Sequence, residues 1–468
     1  MNLNDNLEKI LGRIIDSASH SISDILPSDW CEKNRLMTSD VSPVPGLFSY
    51  DNSPYTREIV DCLSPNHPSH TIAVKKGAQI GFSTSVIEPG IGYIISQNPG
   101  NVLFLVGHEE LVKDAMTKVD RMIDNSGIRD LIKSTTLRAR NTKSGDTDKR
   151  KDYAGGYLKL GTANHKTLRN ISMQYGFIDD FESMTTGTKQ SGSTRAMIEQ
   201  RFAAFAKKRK IFYISTPEMK ETSNIEPVYL LGDQRKYHIP CPCCGELIVF
   251  EWEIEGEIEG LEKGGITWKL DDSGELISES VGYTCYKCGG FFDDKNKTSL
   301  LQRGKWIPTA QPSQPGYYSY HISALCAPTY MYQWEHYVRQ YMEANPIGQK
   351  RIEPLYKTFV NLVLGEPYER AGESISANEL QKNIRPYEIG TVPQKLSMLD
   401  GNGPIVLITC AADLNGKEDD ARLDYEIVAW SAAGPSYSID HGSIGTFIPK
   451  DPGKIDRARW TYRHGQSN

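Results

Sequence analysis

The fold is decided by the stretch Thr71-Ile-Ala-Val-Lys-Lys-Gly-Ala-Gln-Ile-Gly-Phe-Ser-Thr84. An apolar run is followed by a glycine-containing loop, and residues 83–96 then have helical periodicity, so the chain passes from strand to loop to helix. A phosphate-binding loop of the pattern G-x-x-x-x-G-K-[ST] occurs in that context. Its backbone N–H groups surround the phosphates, while a lysine and a hydroxyl serve the phosphates and Mg²⁺.

The match to this pattern is partial. Gly81 occupies the second glycine position and Ser83 the hydroxyl position, but Phe82 stands where the lysine belongs. Lys76 occupies the position of the first glycine, and its four-carbon side chain is long enough to reach the β- and γ-phosphates. On the pattern alone, the alternative is a tight strand-to-helix turn without a catalytic role.

Short β-rich runs alternate with helical stretches over residues 50–235. This alternation predicts a mostly parallel sheet covered by helices, whereas residues 316–370 are predicted to be helical. The strand candidates are 71–74, 101–106, 157–160, 173–178 and 210–215, and the helix candidates are 83–96, 109–123 and 194–205.

The segment Tyr175-Gly-Phe-Ile-Asp-Asp-Phe-Glu182 is an apolar strand that ends in acids. The carboxyl end of a strand beside a phosphate loop is where an ATPase places its Mg²⁺ ligand and the carboxylate that orients water. Asp179 fits the metal position and Asp180 the water position, with Glu182 as the alternative. The alternative interpretation of this segment is a loop capped by acidic residues that has no role in catalysis.

Two cysteine pairs, Cys241-Pro-Cys-Cys244 and Cys285-Tyr-Lys-Cys288, are each followed by glycine. Pairs with this spacing supply four thiolates to a tetrahedral, structural Zn²⁺ site. We therefore predict a zinc ribbon held by Cys241, Cys244, Cys285 and Cys288. The span between the pairs is strongly acidic, which favours contact with a protein partner over contact with DNA.

Near the C-terminus, Ile405-Val-Leu-Ile-Thr-Cys-Ala-Ala-Asp413 has the sequence of a buried strand ending in a carboxylate. Two further strand-like runs follow, as in the opening of an RNase H-like nuclease. Two-metal cleavage requires several carboxylates, and Asp413 is the candidate ligand of Mg²⁺ or Mn²⁺. Because the sequence ends at Asn468 before the other carboxylates, we expect this chain alone to cut DNA poorly.

The loop Lys76-Gly-Ala-Gln-Ile-Gly-Phe-Ser83 resembles the deviant Walker A motif of the lambda-type (GpA) phage terminase large subunits, in which the lysine also stands at the start of the loop. Other stretches resemble that family in the same order, and together they cover roughly residues 45–450. They are residues 54–61 upstream of the loop, 166–169 before the acidic strand, 213–217 after the next strand, and 357–361 with 365–368 before the nuclease.

The resemblance implies an ATP-driven motor that moves viral DNA into a procapsid and carries an endonuclease domain. Asp179 and Asp180 would act on ATP and Asp413 on DNA. Mg²⁺ would be held by Ser83 and Asp179 at the ATP site, and Mg²⁺ or Mn²⁺ by Asp413 in the nuclease. The other implied site residues are Lys76, Gly77, Ala78, Gln79, Ile80, Gly81, Phe82, Ser83 and Thr84 for ATP, Ser215 and Thr216 for coupling, and Arg169 or Arg201 as a trans-acting arginine.

The expected fold is an α/β, P-loop (RecA/ASCE-like) parallel-sheet ATPase with a zinc-ribbon insertion, followed by the start of an RNase H-like domain. The expected partners are double-stranded DNA, the small terminase subunit, the portal protein and further copies of the chain in a ring, in the host cytoplasm. The predicted segments are an N-terminal helical segment (1–45), the ATPase domain (46–235), the zinc ribbon (236–300), a helical completion and linker (301–400), and the nuclease (401–468).

Two other functions remain open at this stage. A superfamily 2-type helicase or DNA remodeller shares the phosphate loop and the acidic strand, but it needs a second RecA-like domain, for which residues 300–400 are too helical. A zinc-ribbon scaffold with a degenerate loop is the non-enzymatic alternative. The net charge of −6 does not exclude DNA, because local basic clusters occur. No run of 18 apolar residues occurs in the sequence, so no membrane span is predicted.

Overall fold

The structure is a computed structural model that describes residues 25–133, 149–184, 193–369, 385–415 and 421–447. Its contacts divide the chain into two units, Met1–Glu369 and Arg370–Asn468, which are treated separately below. The amphipathic helix predicted within residues 1–45 lies outside the described residues. In the described part of the chain, no helix is long and apolar enough to cross a membrane.

The first unit alternates strands and helices along the chain. Its strands are β1 Leu36–Met37, β2 Gly46–Leu47, β3 Thr71–Lys76, β4 Val102–Leu105, β5 Arg150–Tyr153, β6 Gly156–Gly161, β7 Tyr175–Asp179, β8 Lys210–Ser215, β9 Arg235–Pro240, β10 Leu247–Ile248, β11 Glu253–Glu255, β12 Lys263–Thr267, β13 Gly282–Thr284, β14 Phe291–Phe292, β15 Lys305–Ile307 and β16 Tyr317–Ile322. Its helices are α1 Pro27–Asn34, α2 Arg57–Asp61, α3 Glu88–Gln97, α4 Leu111–Asn125, α5 His165–Leu168, α6 Thr194–Glu199, α7 Ile225–Leu231, α8 Lys297–Leu301, α9 Trp334–Ala344 and α10 Glu353–Phe359.

The main sheet has the strand order β10-β9-β16-β3-β8-β7-β4-β6-β5, with β15 beside β9. Its central strands, from β9 to β6, run parallel. The predicted parallel α/β sheet is therefore confirmed. Because β3 and β7 are separated only by β8, the loops that follow β3 and β7 leave the same edge of the sheet close to each other.

Both faces of this sheet are buried, as expected for a parallel sheet under helices. Alternate residues of one strand enter opposite cores. Ile72 and Val74 join the larger apolar cluster, whereas Ala73 joins a second one. Phe177 and Ile178 divide in the same way. The apolar strands are therefore fixed in register by burial on two sides.

The helical prediction for residues 316–370 is wrong at its start. Strand β16 lies between β9 and β3 in the middle of the sheet and pairs with β3 from Tyr317 to Ile322. Its sequence, Tyr-Tyr-Ser-Tyr-His-Ile, is rich in aromatic residues that favour strands. The predicted helices do follow, as α9 and α10, and a turn of π-helix, Val360–Leu364, extends α10.

The cysteine-rich region is built on the main sheet. The first cysteine pair lies in the turn between β9 and β10, which are main-sheet strands. The second pair lies between β13 and β14 of a separate four-stranded antiparallel sheet, β11-β12-β13-β14.

The second unit contains helix α11, Gln394–Leu399, and a three-stranded antiparallel sheet of β17 Ile405–Asn415, β18 Ala421–Ser431 and β19 Ser436–Phe447. A small apolar cluster of Ala429, Tyr437 and Ile439 packs with Leu396 of the helix. The three successive strands predicted for this region are present.

Candidate functional site

The loop after β3 has two residues with positive φ, Gln79 at 55° and Gly81 at 82°. The first two backbone N–H groups of the loop donate hydrogen bonds to carbonyl groups elsewhere in the protein. Gly77 donates to the carbonyl of Ile322 at 2.9 Å, and Ala78 donates to the carbonyl of Leu362 at 2.7 Å. The start of the loop is therefore anchored to the backbone of two other segments.

Side chains upstream of the loop hold its carbonyl groups. The Tyr55 hydroxyl donates to the carbonyl of Ile80 at 2.9 Å, and the Tyr50 hydroxyl donates to that of Ser85 at 2.9 Å. Arg35 donates to the carbonyl of Thr84 and pairs with Glu88. The residues before the loop thus fix its shape, and Ser83–Ile87 then forms a single turn of π-helix before α3.

Lys76 and Asp179 face each other across the carboxyl end of the sheet. Burial lowers the pKa of Lys76, and the charges of Asp179 and Asp180 raise it. Burial raises the pKa of Asp179, and the charge of Lys76 lowers it. The Lys76 ammonium lies 3.4 Å from the carbonyl oxygen of Gly77. The lysine and the acids therefore lie on the same side of the sheet.

A cavity of about 380 Å³ opens at Asp179 and Asp180, and Lys76 is not among the residues that line it. One wall comes from the helical residues that follow the loop and from the ends of β4 and β7, and the other wall comes from α4. The residues that line it include Ser83, Glu88, Gly107, Asp114, Lys118, Arg121, Asp179 and Asp180.

Asp180 has a left-handed backbone with φ 55° and ψ 48°, which is uncommon for a residue other than glycine. An ideal Cβ on Gly107 would lie 2.4 Å from Asp180 Oδ2. The Asp180 carboxylate therefore occupies the space that the missing side chain of Gly107 leaves free. Neither feature was visible in the sequence.

The carboxylate of Glu182 is engaged elsewhere. It accepts hydrogen bonds from the backbone N–H groups of Asn224 and Ile225, both at 3.0 Å, and of Glu218 at 3.2 Å. It thereby caps the start of α7. Asp180, which lines the cavity, is the better candidate for orienting water.

The segment predicted to have a coupling role contacts the acidic loop directly. Ser215, at the end of β8, is buried, and its hydroxyl accepts from the N–H of Glu182 at 3.0 Å. Its hydroxyl also lies 3.4 Å from the carbonyl of Thr216. Next to it, Lys75 of β3 pairs with Glu226 of α7 at 2.8 Å.

The two candidate arginines are not among the residues that line the cavity in the described part of the chain. Arg201 donates to the carbonyl of Leu168 at 3.2 Å, and its own carbonyl accepts from the N–H of Met173, just before β7 begins. Arg201 thus lies near the amino end of β7, whereas Asp179 is at the carboxyl end. Arg169 is exposed.

Sequence reasoning missed Lys118 and Arg121. Both lie on α4, whose buried residues Val112, Met116 and Val119 face the core. The helical spacing marked that apolar face, but it did not indicate which charged residues would point toward the phosphate loop. That depends on how α4 packs against the end of β4.

A second cavity, of about 90 Å³, lies on the other side of the loop. It is formed by the segment before the loop and by the segment after β16. Its lining includes Val44, Phe48, Asn52, Ile80, Gly81, Tyr330 and Met331.

The four predicted cysteines converge. The sulfur atoms of Cys241, Cys244, Cys285 and Cys288 all lie within 4.8 Å of one another. Each pair forms the same tight turn, in which a glycine with positive φ donates its N–H to the carbonyl of the first cysteine, at 2.9 Å for Gly245 and 2.8 Å for Gly289. Four thiols at this spacing fit a tetrahedral Zn²⁺ site.

In the second unit, Asp413 lies on β17 and is exposed. Its partner across the ladder is Asp424 of β18, whose carboxylate accepts from the Ser443 hydroxyl. Residues directly opposite each other in an antiparallel ladder share a face. Two carboxylates therefore stand side by side on this face.

The parallel sheet, the loop after β3 and the acids at the end of β7 define an ATP hydrolase of the P-loop class. The model of the family "Phage terminase large subunit gpA, ATPase domain" matches residues 42–306, and that of "Terminase large subunit gpA, endonuclease domain" matches residues 317–461. The chain therefore belongs to the gpA family of phage terminase large subunits. It has the ATPase and endonuclease domains of a DNA-packaging motor, and the helicase and scaffold alternatives are not favoured.

Comparison with solved structures gave weak likenesses. The Thermus phage P74-26 large terminase ATPase domain is 11% identical with a TM-score of 0.34, over 64% of this chain and 90% of that chain. The HK97 bacteriophage large terminase is 11% identical with a TM-score of 0.41, over 89% of this chain and 66% of that chain. No curated protein matched. The family assignment rests on the two family models.

The match to the endonuclease model begins inside the first structural unit. Its first residues, 317–322, form β16 in the main sheet, and the first unit continues to Glu369. The segment from 317 to 369 therefore packs as part of the ATPase region.

Proposed function

We propose that the triphosphate of ATP binds in the larger cavity, between the loop after β3 and the end of β7. The observation that carries this assignment is that Ser83 and Asp179 line one cavity, and that the charge of the neighbouring Lys76 acts on Asp179. Lys76 supplies positive charge from the start of the loop. Because Gly77 and Ala78 already donate to protein carbonyls, the N–H groups from Gln79 to Thr84 contact the phosphates.

Ser83 and Asp179 are the ligands of Mg²⁺ at this site, since a hydroxyl and a carboxylate in the lining of one cavity match its preference for oxygen. When bound, the ion neutralises charge on the β- and γ-phosphates. Asp180 accepts a hydrogen bond from the attacking water and orients it. Ser215 and Thr216 transmit the change at the acidic loop through the bond between Ser215 and the N–H of Glu182.

The nucleobase binds in the smaller cavity, beside β16. In this sheet the acids lie on the β7 side of the loop, so the other end of the nucleotide extends toward β16. Phe48 and Tyr330 offer aromatic surface there, and the Asn52 amide is suited to the edge of adenine.

The experiment is DNA-stimulated ATP hydrolysis by the wild type, Lys76→Ala and Asp179→Ala, with Lys113→Ala as the matched control. Lys113 is an exposed lysine of α4 that does not line the cavity. We expect the two site variants to lose hydrolysis and the control to keep it. Equal rates in all four proteins would remove the assignment.

The four-cysteine cluster holds a structural Zn²⁺ ion in this proposal. With four thiolates the ion has no open position, so it stabilises the turns and takes no part in hydrolysis. Metal analysis should find one zinc in the wild type and in Cys243→Ser, a neighbouring exposed thiol outside the cluster. Cys285→Ser should lose zinc; full zinc content in that variant would disprove the ligand set.

The remaining assignments follow from the family. Asp413 binds Mg²⁺ or Mn²⁺ in the endonuclease, and Arg169 or Arg201 acts on a neighbouring copy in a ring. The working partners are double-stranded DNA, the small terminase subunit and the portal protein, in the host cytoplasm. The functional segments are those predicted from the sequence, at 1–45, 46–235, 236–300, 301–400 and 401–468.

A further inference from the structure

The last segment of the first unit contacts the coupling segment. Asn361, which lies in the π-helical turn after α10, is 5% exposed. Its amide Nδ2 donates to the carbonyl of Glu218 at 2.7 Å and to the carbonyl of Glu366 at 2.8 Å. One buried side chain thus joins the residues after β8 to the residues that end the unit.

The same segment contacts the phosphate loop. The carbonyl of Leu362, next to Asn361, accepts from the N–H of Ala78 at 2.7 Å. Gly365 has a φ of 67°, and a Cβ there would lie 2.6 Å from the nitrogen of Gly77. The backbone of residues 362–365 is therefore in direct contact with the first turn of the loop.

The peptide groups of Glu218 complete the connection. The N–H of Glu218 donates to the Glu182 carboxylate at 3.2 Å, beside the acids of β7. Its carbonyl accepts from Asn361 and also from the N–H of Tyr368 at 2.7 Å. Lys220 then donates its N–H to the carbonyl of Tyr368 at 3.0 Å. The Asn361 amide and several backbone hydrogen bonds thus join the phosphate loop, the acidic loop and residues 366–369.

We infer that Asn361 is a positioning residue that transmits the nucleotide state of the ATP site to residues 366–369, where the first unit ends. When the acidic loop shifts as the γ-phosphate leaves, the Glu218 peptide moves with it. Asn361 passes that movement to Glu366, and the Glu218 carbonyl passes it to Tyr368, while the Leu362 carbonyl holds the segment against the phosphate loop. The inference rests on the proposed ATP site.

The test variant is Asn361→Asp, which keeps the shape of the side chain but places an acceptor against two carbonyl oxygens. We expect kcat for ATP hydrolysis to fall on the order of tenfold, with KM changed by less than about twofold, since no ligand of the phosphates is removed. We also expect a loss of nucleotide-dependent hydrogen exchange. In the wild type, peptides covering 216–222 and 362–369 should exchange differently with ADP and with a non-hydrolysable ATP analogue, and in the variant they should not.

Asn345→Asp is the matched control. Asn345 also donates from Nδ2 to a carbonyl, that of Tyr341 at 2.9 Å, but it lies at the end of α9. It should keep both the wild-type kcat and the nucleotide-dependent exchange.

The outcomes separate the inference from the proposal beneath it. If Lys76→Ala abolishes hydrolysis but Asn361→Asp keeps the wild-type kcat and exchange pattern, Asn361 is only structural and the inference fails. A lower melting temperature in Asn361→Asp with unchanged kcat leads to the same conclusion. If Lys76→Ala hydrolyses ATP normally, the proposed site itself is wrong.

Discussion

Replacing Gly107 by alanine tests the placement of Asp180. Gly107 lies just after β4 and lines the cavity beside Asp180. It is not among the residues with positive φ, so its backbone accepts alanine without strain. The new methyl group would nevertheless lie 2.4 Å from Asp180 Oδ2 and 2.9 Å from the Cβ of Ser183. The substitution therefore acts on the position of the carboxylate.

The expected effect follows from that distance. Ordinary contacts of a Cβ begin at 3.4 Å, so the carboxylate must retreat by 3.4 − 2.4, which is about 1 Å. A displacement of about 1 Å in a reacting group costs on the order of 10²-fold in rate. We expect kcat to fall about 100-fold, equivalent to about 2.7 kcal/mol in the barrier. KM for ATP should stay within about twofold, because Lys76 and Ser83 are untouched.

The assay is steady-state hydrolysis in a double-mutant cycle. If Gly107→Ala acts only through the carboxylate, it should have no further effect when Asp180 is already alanine. Gly127→Ala serves as the control for general destabilisation. Its φ is 66° with open space around it, so it should cost about 1–2 kcal/mol of stability with no change in kcat.

Two results would refute this reasoning. One is an equal loss of kcat from Gly107→Ala in the wild-type and Asp180→Ala backgrounds, which would show that the methyl group acts on something other than Asp180. The other is a raised KM with an unchanged kcat, which would show that Gly107 contacts bound nucleotide instead.

Three further substitutions probe the surroundings of the site. Lys118→Met should raise KM for ATP by roughly threefold at low ionic strength and less at high salt, measured by hydrolysis, because an exposed charge is screened. Glu182→Gln should lower the free energy of unfolding by about 1–3 kcal/mol in urea titrations, because several N–H groups lose a charged acceptor, whereas Asp180→Asn should spare stability and lower kcat. Burial lowers the pKa of Lys297, which donates to the carbonyl of Tyr332, to about 8. Because the pKa of Lys297 in the folded protein lies below the unfolded value of 10.5, burying the charged lysine destabilises the fold. This destabilisation is complete below pH 8, where the lysine is charged in both states, and it disappears as the pH rises to 10.5. The stability of the wild type relative to Lys297→Met should therefore rise between pH 8 and pH 10.5.

The sheet was predictable because its strands are marked locally. Strand β8 has the predicted bounds, and β3 extends the predicted strand by two residues to Lys76. Both are continuous apolar runs bounded by polar or glycine residues, as strands buried on two faces are. Strand β16 was missed although it is central, because its Tyr, Ser and His residues do not form such a run and the sequence after it is helical.

The candidate site was predictable only in part. Lys76 is the last residue of β3, Asp179 is the last residue of β7, and Ser83 follows the loop after β3. The topology of a parallel sheet therefore places them at one edge once β3 and β7 are recognised. The roles of Glu182 and Asn361 depend on which distant N–H or carbonyl group each one meets. Sequence spacing contains no information on those partners, since they are fixed by the packing of α7 and of the segment after α10.

The position of the lysine is consistent with the rest of the loop. Phe82, in the usual lysine position, is 3% exposed and stacks near Tyr55 with ring centroids 6.3 Å apart. A lysine there would place its charge in the apolar core, at a cost of several kcal/mol. At position 76 the ammonium instead faces the carboxylates of Asp179 and Asp180 and lies 5.9 Å from the centroid of the Phe82 ring. The aromatic residue anchors the helix that follows the loop, and the charge comes from the end of the strand. Exchanging the two residue types, as in Lys76→Phe with Phe82→Lys, should therefore destabilise the first unit instead of restoring the common form of the motif.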